Sequence, residues 1–152
     1  MTAPLKRQSI LPRLDGILRD VERLRELAGC PLEEFVGDHD RFDIAKLHLR
    51  EALEGVFNIG AHILARLNGG RTTEYKEIAS KLGERGIVEK EFANTTLVRM
   101  AGYRNRLTHF YAEITPHELY GILQRHLDDF EVFLRAVKNL LEHAEQFGLT
   151  VE

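Results

Sequence analysis

The sequence is short of the features that decide a protein's class at once. It holds a single cysteine, Cys30, so neither an intramolecular disulfide framework nor a Cys-x-x-Cys metal site can form. That scarcity fits a reducing, cytoplasmic setting. No stretch approaches the roughly 20 apolar residues of a membrane span. The opening MTAPLKRQS is not followed by the apolar core of a secretory leader. Strict alternation of apolar and polar residues, the mark of half-buried strands, is missing as well. Nor is positive charge in excess: 21 Lys and Arg stand against 24 Asp and Glu, a net charge of -3. A domain that coats nucleic acid is usually basic overall. Any RNA contact here therefore has to be local, or has to be built by bringing two chains together.

What the sequence does have is helical period. Its 43% hydrophobic and 30% charged residues are those of an ordinary globular domain, and 152 residues suffice for one domain, 1–152, with a real core. Apolar stripes at spacings of three and four predict five helices. The first runs from about Ser9 to Ala28 on Leu11, Leu14, Leu18, Val21 and Leu24, with Ser9 as N-cap, Pro12 in the first turn and Gly29-Cys30-Pro31 as its stop. A polar connector leads to Asp40, the expected cap of a long second helix from about Arg41 to Leu67. Its stripe is wide enough for more than one partner helix, and Asn68-Gly69-Gly70 ends it. A short third helix spans Thr73 to Gly83 and a fourth about Glu89 to Thr108. The fifth opens on Thr115-Pro116-x-Glu118, a capping box with proline at its first helical position, and runs to about Gly148. Short connections between such helices predict an all-α, antiparallel up-and-down bundle.

Most familiar chemistries find no footing. No histidine follows a glutamate by three residues, and no His-x-x-x-His pair occurs, so the ligand spacing of metal-holding bundles is absent. Asp38-His39-Asp40 reads as a solvated loop. There is no Gly-x-Ser-x-Gly elbow and no phosphate loop, and Cys30 reads as structural. We expect no metal and no cofactor. His62 and His126 lie on or beside apolar stripes and read as core or interface histidines.

One octapeptide stands out: RNRLTHFY, Arg104 to Tyr111. The fourth stripe reads Leu97, Met100, Arg104, Leu107, Tyr111, with an arginine where the period asks for an apolar side chain. RNA cleavage by the 2′-hydroxyl needs one proton removed and one supplied near neutral pH, the work of a histidine such as His109. It also needs charge neutralised on the phosphate, for which the guanidinium fork of Arg104 is suited. Five residues along a helix separate the two side chains by about 140°. The Thr115 cap forces the fourth helix to end near His109, and unwinding there turns His109 back toward Arg104. Asn105 is placed to orient the imidazole. The bare Arg-x-x-x-x-His spacing is weak, since about one match is expected by chance.

The longer pattern, Arg104-Asn105-x-x-x-His109-x-Tyr111, resembles the signature of HEPN-domain proteins, and most of all the HepT toxins of HepT–MntA toxin–antitoxin systems. NIGAHILARLNGG and EYKEIASKLGERGIVEKEFANTTLVRMAGYRNRLTHFY resemble the corresponding stretches of that family. The resemblance implies a metal-independent endoribonuclease that works as a homodimer, with both Arg/His motifs facing one cleft. Arg104 and His109 are then the catalytic pair, and two copies of Arg99, Arg104 and Arg106 make a local basic groove for RNA. It also implies a cognate MntA-like nucleotidyltransferase that silences the toxin by attaching AMP to Tyr111. Family members often carry an acidic residue on the second helix near the active site, and here Asn58 stands at that place. A different class fits the same residues: a non-catalytic helical partner, or the protective member of the pair, that binds a nucleotidyltransferase and helps hold its nucleotide.

Overall fold

The apolar stripes become helix faces in the computed structural model, which describes residues 3–67 and 72–152. The sharp stop at Asn68-Gly69-Gly70 lies outside the described residues. Helix α1 spans Arg7–Leu27, α2 Leu32–Gly37, α3 His39–Leu64 and α4 Tyr75–Glu84. A short helix α5, Lys90–Phe92, runs through a π-helical segment, Ala93–Leu97, into α6, Val98–His109. A 3-10 turn at Tyr111–Glu113 leads to α7, Pro116–Arg125, and α8, Asp128–Glu142. Among the described residues there is no strand, only a bridge between Leu5 and Val151. No described helix is long and apolar enough to cross a membrane.

Helix α3 is the central post. Phe57, Val56, Ile59 and Ile63 are fully buried, and its wide stripe meets α1, α4 and α6. The expected stripe of α1 is rotated: Ile10, Ile17, Val21 and Leu24 face the core, while Leu11 and Leu18 are exposed. Two overlapping stripes run through this segment, and spacing alone does not choose between them. The choice is made by packing, because Gly55 of α3 leaves the hole that Ile17 fills; a Cβ there would sit 2.8 Å from Ile17 Cγ1. Helix α1 also begins earlier than expected, with Lys6 in the cap position and Pro12 well inside.

The connector expected to be a polar loop contains α2, because Phe35 needs burial. It is fully enclosed and packs against Tyr120 at 5.4 Å between ring centroids. Tyr120 in turn donates to the Cys30 carbonyl at 2.7 Å. The cap of α3 is Asp38 rather than Asp40, accepting from the Arg41 N–H at 3.1 Å. Thr115 caps α7 as expected, accepting from the Glu118 N–H at 3.2 Å, with Pro116 opening the helix. The fifth predicted helix is two helices. His126, with φ -121° and ψ 2°, breaks it, and no proline or glycine marks the place.

Helix α4 is held close to the π-helical segment at Gly83. A Cβ on Gly83 would stand 2.5 Å from the Cβ of Ala93. Gly83→Ala should therefore destabilise the fold by about 1–2 kcal/mol, the steric cost exceeding the gain in helix propensity. Gly16 of α1 meets nothing within 4 Å, so Gly16→Ala should stabilise by about 0.5–1 kcal/mol. Urea-denaturation midpoints that shift in the same direction for both variants would contradict this packing.

Candidate functional site

Helix α6 carries Arg104 toward α3 and α4, where its charge is accommodated in three ways. The guanidinium lies 4.1 Å from the ring centroid of Tyr75, the first residue of α4. The Tyr75 ring stacks on Phe57 of α3 at 4.9 Å. Glu54 of α3 brings Oε1 to 3.7 Å from Arg104 Nη2. Burial raises the Tyr75 phenol above its ordinary range, keeping it neutral beneath the cation. Arg104 Nη1 donates to Asn105 Oδ1 at 3.3 Å. Its Nε is buried and has no partner among the described residues.

Arg104, Asn105, His109, Tyr75 and Lys76 line one cavity of about 550 Å³ together with Phe110. Helix α6 ends at His109 as the Thr115 cap requires, and the imidazole is exposed to solvent. The helix stays regular through His109, so the expected unwinding that would turn His109 back toward Arg104 does not occur, although both residues line the same cavity. Lys76, which sequence reasoning did not single out, adds a second cation to its wall. Asn105, expected to orient the imidazole, instead accepts from Arg104.

The acidic residue of α3 that faces Arg104 is Glu54, one turn before the exposed Asn58 that sequence reasoning placed there. Glu54 was missed because Arg50 and Glu54 look like an ordinary pair one helical turn apart. Indeed Arg50 Nε lies 4.0 Å from Glu54 Oε1, the same oxygen that faces Arg104.

Arg99 and Arg106 do not join this cavity. On a helix of 3.6 residues per turn they project roughly 140–160° away from Arg104. They line a different cavity, with Tyr103, Glu118, Arg125 and His126. Arg106 is gripped by both carboxylate oxygens of Glu118, Nη2 at 3.1 Å from Oε2. That hydrogen bonding raises the Arg106 pKa further. The capping box is therefore half made, since the Glu118 side chain goes to α6 instead of back to the cap.

Tyr111 is 58% exposed on the 3-10 turn. It lines a third hollow with Asp43, Lys46 and Arg50, and Lys46 Nζ stands 5.2 Å from its ring centroid. The motif's tyrosine and its Arg/His pair thus face different hollows. Arg50 of the first touches the carboxylate that holds Arg104 of the second.

The other histidines lie elsewhere. His126 sits at the break between α7 and α8, 3.5 Å from Asp129 and away from Arg104's cavity. His62 accepts from the Lys6 N–H at 3.3 Å, joining α3 to the start of α1. His48 Nδ1 meets Asp20 Oδ1 at 2.8 Å, and with Glu51 these form the one grouping of metal-ligand type among the described residues. It pins α1 to α3, far along the chain from the octapeptide.

Residues 17–137 match the Ribonuclease HepT-like family. The chain belongs to that family. It is 25% identical over 134 residues to the tRNA nuclease HepT of Aphanizomenon flos-aquae, covering 88% of this chain and 90% of that one. It is also 25% identical over 129 residues to the mRNA nuclease HepT of Shewanella oneidensis, covering 85% and 96%. The solved structure of the tri-AMPylated Shewanella oneidensis HEPN toxin with its MNT antitoxin superposes with a TM-score of 0.77 at 25% identity, over 86% of this chain and 96% of that one. A toxin–antitoxin structure with AMP-PNP gives a TM-score of 0.78 at 23% identity, covering 87% and 98%, and shares the fold. The all-α bundle of this HepT-like HEPN chain is as its sequence predicts.

His62 sets a pH dependence of stability. Burial foremost, then the charges of Arg66, Arg13 and Lys6, lower its pKa from 6.5 to about 4. Between those values the unfolded chain takes up a proton that the folded chain refuses. Stability should be fullest above pH 6.5 and fall as the pH drops toward about 4. His62→Gln should flatten that slope in urea titrations between pH 7.5 and about 4.5. An identical slope in both proteins would contradict the assignment.

Proposed function

We propose that this chain is a metal-independent endoribonuclease toxin of a HepT–MntA-type pair, cleaving RNA through Arg104 and His109. The observation that carries the reading is the single cavity lined by both His109 and Arg104, whose Nε has no partner among the described residues. In cleavage the substrate's 2′-oxygen attacks the adjacent phosphorus, the P–O5′ bond breaks, and a 2′,3′-cyclic phosphate forms. The 2′-hydroxyl loses a proton and the departing 5′-oxygen gains one. His109 exchanges one of these protons. In a homodimer whose two motifs share a cleft, the second His109 exchanges the other. Arg104, aided by Lys76, neutralises the non-bridging phosphate oxygens as charge builds on them. Glu54 and the Tyr75 ring fix the guanidinium. That two relatives are named tRNA and mRNA nucleases supports an RNA substrate in the cytoplasm.

Control falls to Tyr111. Its exposure leaves the hydroxyl open to an MntA-like nucleotidyltransferase, and the AMPylated Shewanella toxin bound to its antitoxin supports that partner. An attached AMP phosphate would lie beside Lys46 and Arg50. Drawing Arg50 away leaves Glu54 to Arg104 alone, so the modification reaches the catalytic arginine as well as adding bulk and negative charge.

Expression of the wild-type chain alone should arrest growth, and the purified protein should cut RNA in the presence of EDTA. His109→Ala and Arg104→Ala should each lower the cleavage rate about 10²–10⁴-fold with helical content unchanged. Equal toxicity of wild type and His109→Ala would sink the catalytic assignment. A chain harmless on its own, whose nucleotidyltransferase partner is the toxic one, would make it the protective member. Co-expression with that partner should raise the intact mass by AMP units, and Tyr111→Phe should prevent the increase.

A further inference from the structure

One cluster of titratable side chains has no part in the cleavage scheme. Asp20 of α1 and His48 and Glu51 of α3 bring three ligand atoms within 4.8 Å of one another. His48 and Glu51 stand one helical turn apart and share a face. Asp20 meets them from the neighbouring helix, its Oδ1 2.8 Å from His48 Nδ1. The order His-x-x-Glu inverts the Glu-x-x-His spacing that the sequence lacks, and Asp20 lies 28 residues from His48, so no local motif marks the set. The Asp20 and His48 side chains are 14% and 27% exposed, while Glu51 is open to solvent. The set is thus enclosed on one side and reachable on the other. Among the described residues His48 is the sole salt-bridge partner of Asp20, and Glu51 has none. Lys46 and Arg50, the basic residues nearest along α3, are turned to Asp43 and Glu54.

Two carboxylates converging this closely repel each other, and an imidazole carries at most one positive charge. A divalent cation cancels both. The separation of Nδ1 and Oδ1 also suits an ion. Two ligand atoms each about 2.1 Å from one metal lie about 3.0–3.4 Å apart in octahedral or tetrahedral geometry, so this pair needs to part by only about 0.2–0.6 Å. The ring keeps its one proton on Nε2 while Nδ1 takes the metal. Imidazole together with carboxylates suits zinc and its first-row neighbours, whereas magnesium and calcium prefer oxygen alone. We infer that Asp20, His48 and Glu51 form a zinc-type site that clamps α1 to α3, with water completing the coordination. None of the three lines the Arg104–His109 cavity, so the ion holds helices together and takes no part in cleavage. The site does not depend on the ribonuclease reading, and the expected cutting in EDTA is unaffected by it.

Isothermal titration of the EDTA-stripped full chain with zinc chloride tests this. One ion should bind per chain, saturating below about 100 µM. Calcium and magnesium should bind at least about tenfold more weakly. Asp20→Asn and His48→Gln should each weaken zinc binding at least about tenfold. Both also remove a hydrogen bond between helices, so Glu51→Gln separates the ion from the fold. It should leave the urea midpoint in EDTA unchanged and still weaken zinc binding at least about tenfold. The wild-type midpoint should rise with zinc concentration, and the Glu51→Gln protein should need at least about tenfold more zinc for the same rise. His62→Gln and His126→Gln, which lie outside the cluster, should leave zinc affinity within about twofold. No saturable zinc binding, or an affinity indifferent to His48→Gln and Glu51→Gln, would overturn the inference.

Discussion

A permanently charged guanidinium on the apolar stripe of α6 is the constraint around which this bundle is arranged. Arg104 cannot shed its proton, so the surrounding helices must meet its charge. Tyr75 supplies an aromatic face, Phe57 backs that face, and Glu54 supplies a counter-charge. The stack therefore ties together α3, α4 and α6. A cation–π contact contributes about 0.5–2 kcal/mol, and a partly exposed ion pair about 0.2–1 kcal/mol. Neither satisfies the buried Nε, which stays without a partner. The fold spends some stability in keeping a donor unpaired, and such deficits collect where a ligand is to complete them.

The second organising fact is that α6 has two working faces. Arg104 and His109 look toward the start of α4, while Arg99, Tyr103 and Arg106 look toward α7. Sequence reasoning gathered the arginines into one groove because they are close in the chain. The helix separates them by nearly half a turn. An acidic molecule thus presents local positive charge on two sides, and neither patch has to overcome a uniformly basic neighbour. Glu118 sharpens the division, since its N–H donates to the Thr115 cap of α7 while its side chain locks Arg106 away from the Arg104 side.

Much of this was legible in the residues. The all-α bundle and the Thr115-Pro116 start were read correctly, though eight helices form among the described residues where five were expected, and the arginine out of place on an apolar stripe led to the cavity it lines. What escaped has a common cause: tertiary packing decides where local signals tie. Ile17 and Leu18 are equally apolar, and the hole at Gly55 selects Ile17. The break at His126 lacks proline and glycine, so nothing in the local sequence announces it. Phe35 makes a helix out of a polar-looking connector because aromatic partners from α3 and α7 enclose it. Glu54 went unnoticed because a carboxylate among helix-surface charges carries no mark of which neighbour it will meet. Lys76 lies far from the octapeptide in the chain and reaches it only through the seating of α4.

That seating has a consequence of its own. Helix α4 has 10 residues, with Tyr75 and Lys76 at one end and Gly83 near the other. The two ends lie roughly 12 Å apart. The glycine's contact with Ala93 acts as a fulcrum, and the cavity wall is the far arm of the lever. Added bulk at the fulcrum tilts the arm that carries the guanidinium's aromatic seat. Positions 83 and 93 touch no substrate, yet together they gauge the width of the opening. Growth at 83 is tolerable only if Ala93 becomes glycine, and growth at 93 finds nothing left to remove at Gly83, so both positions should stay small among homologous chains.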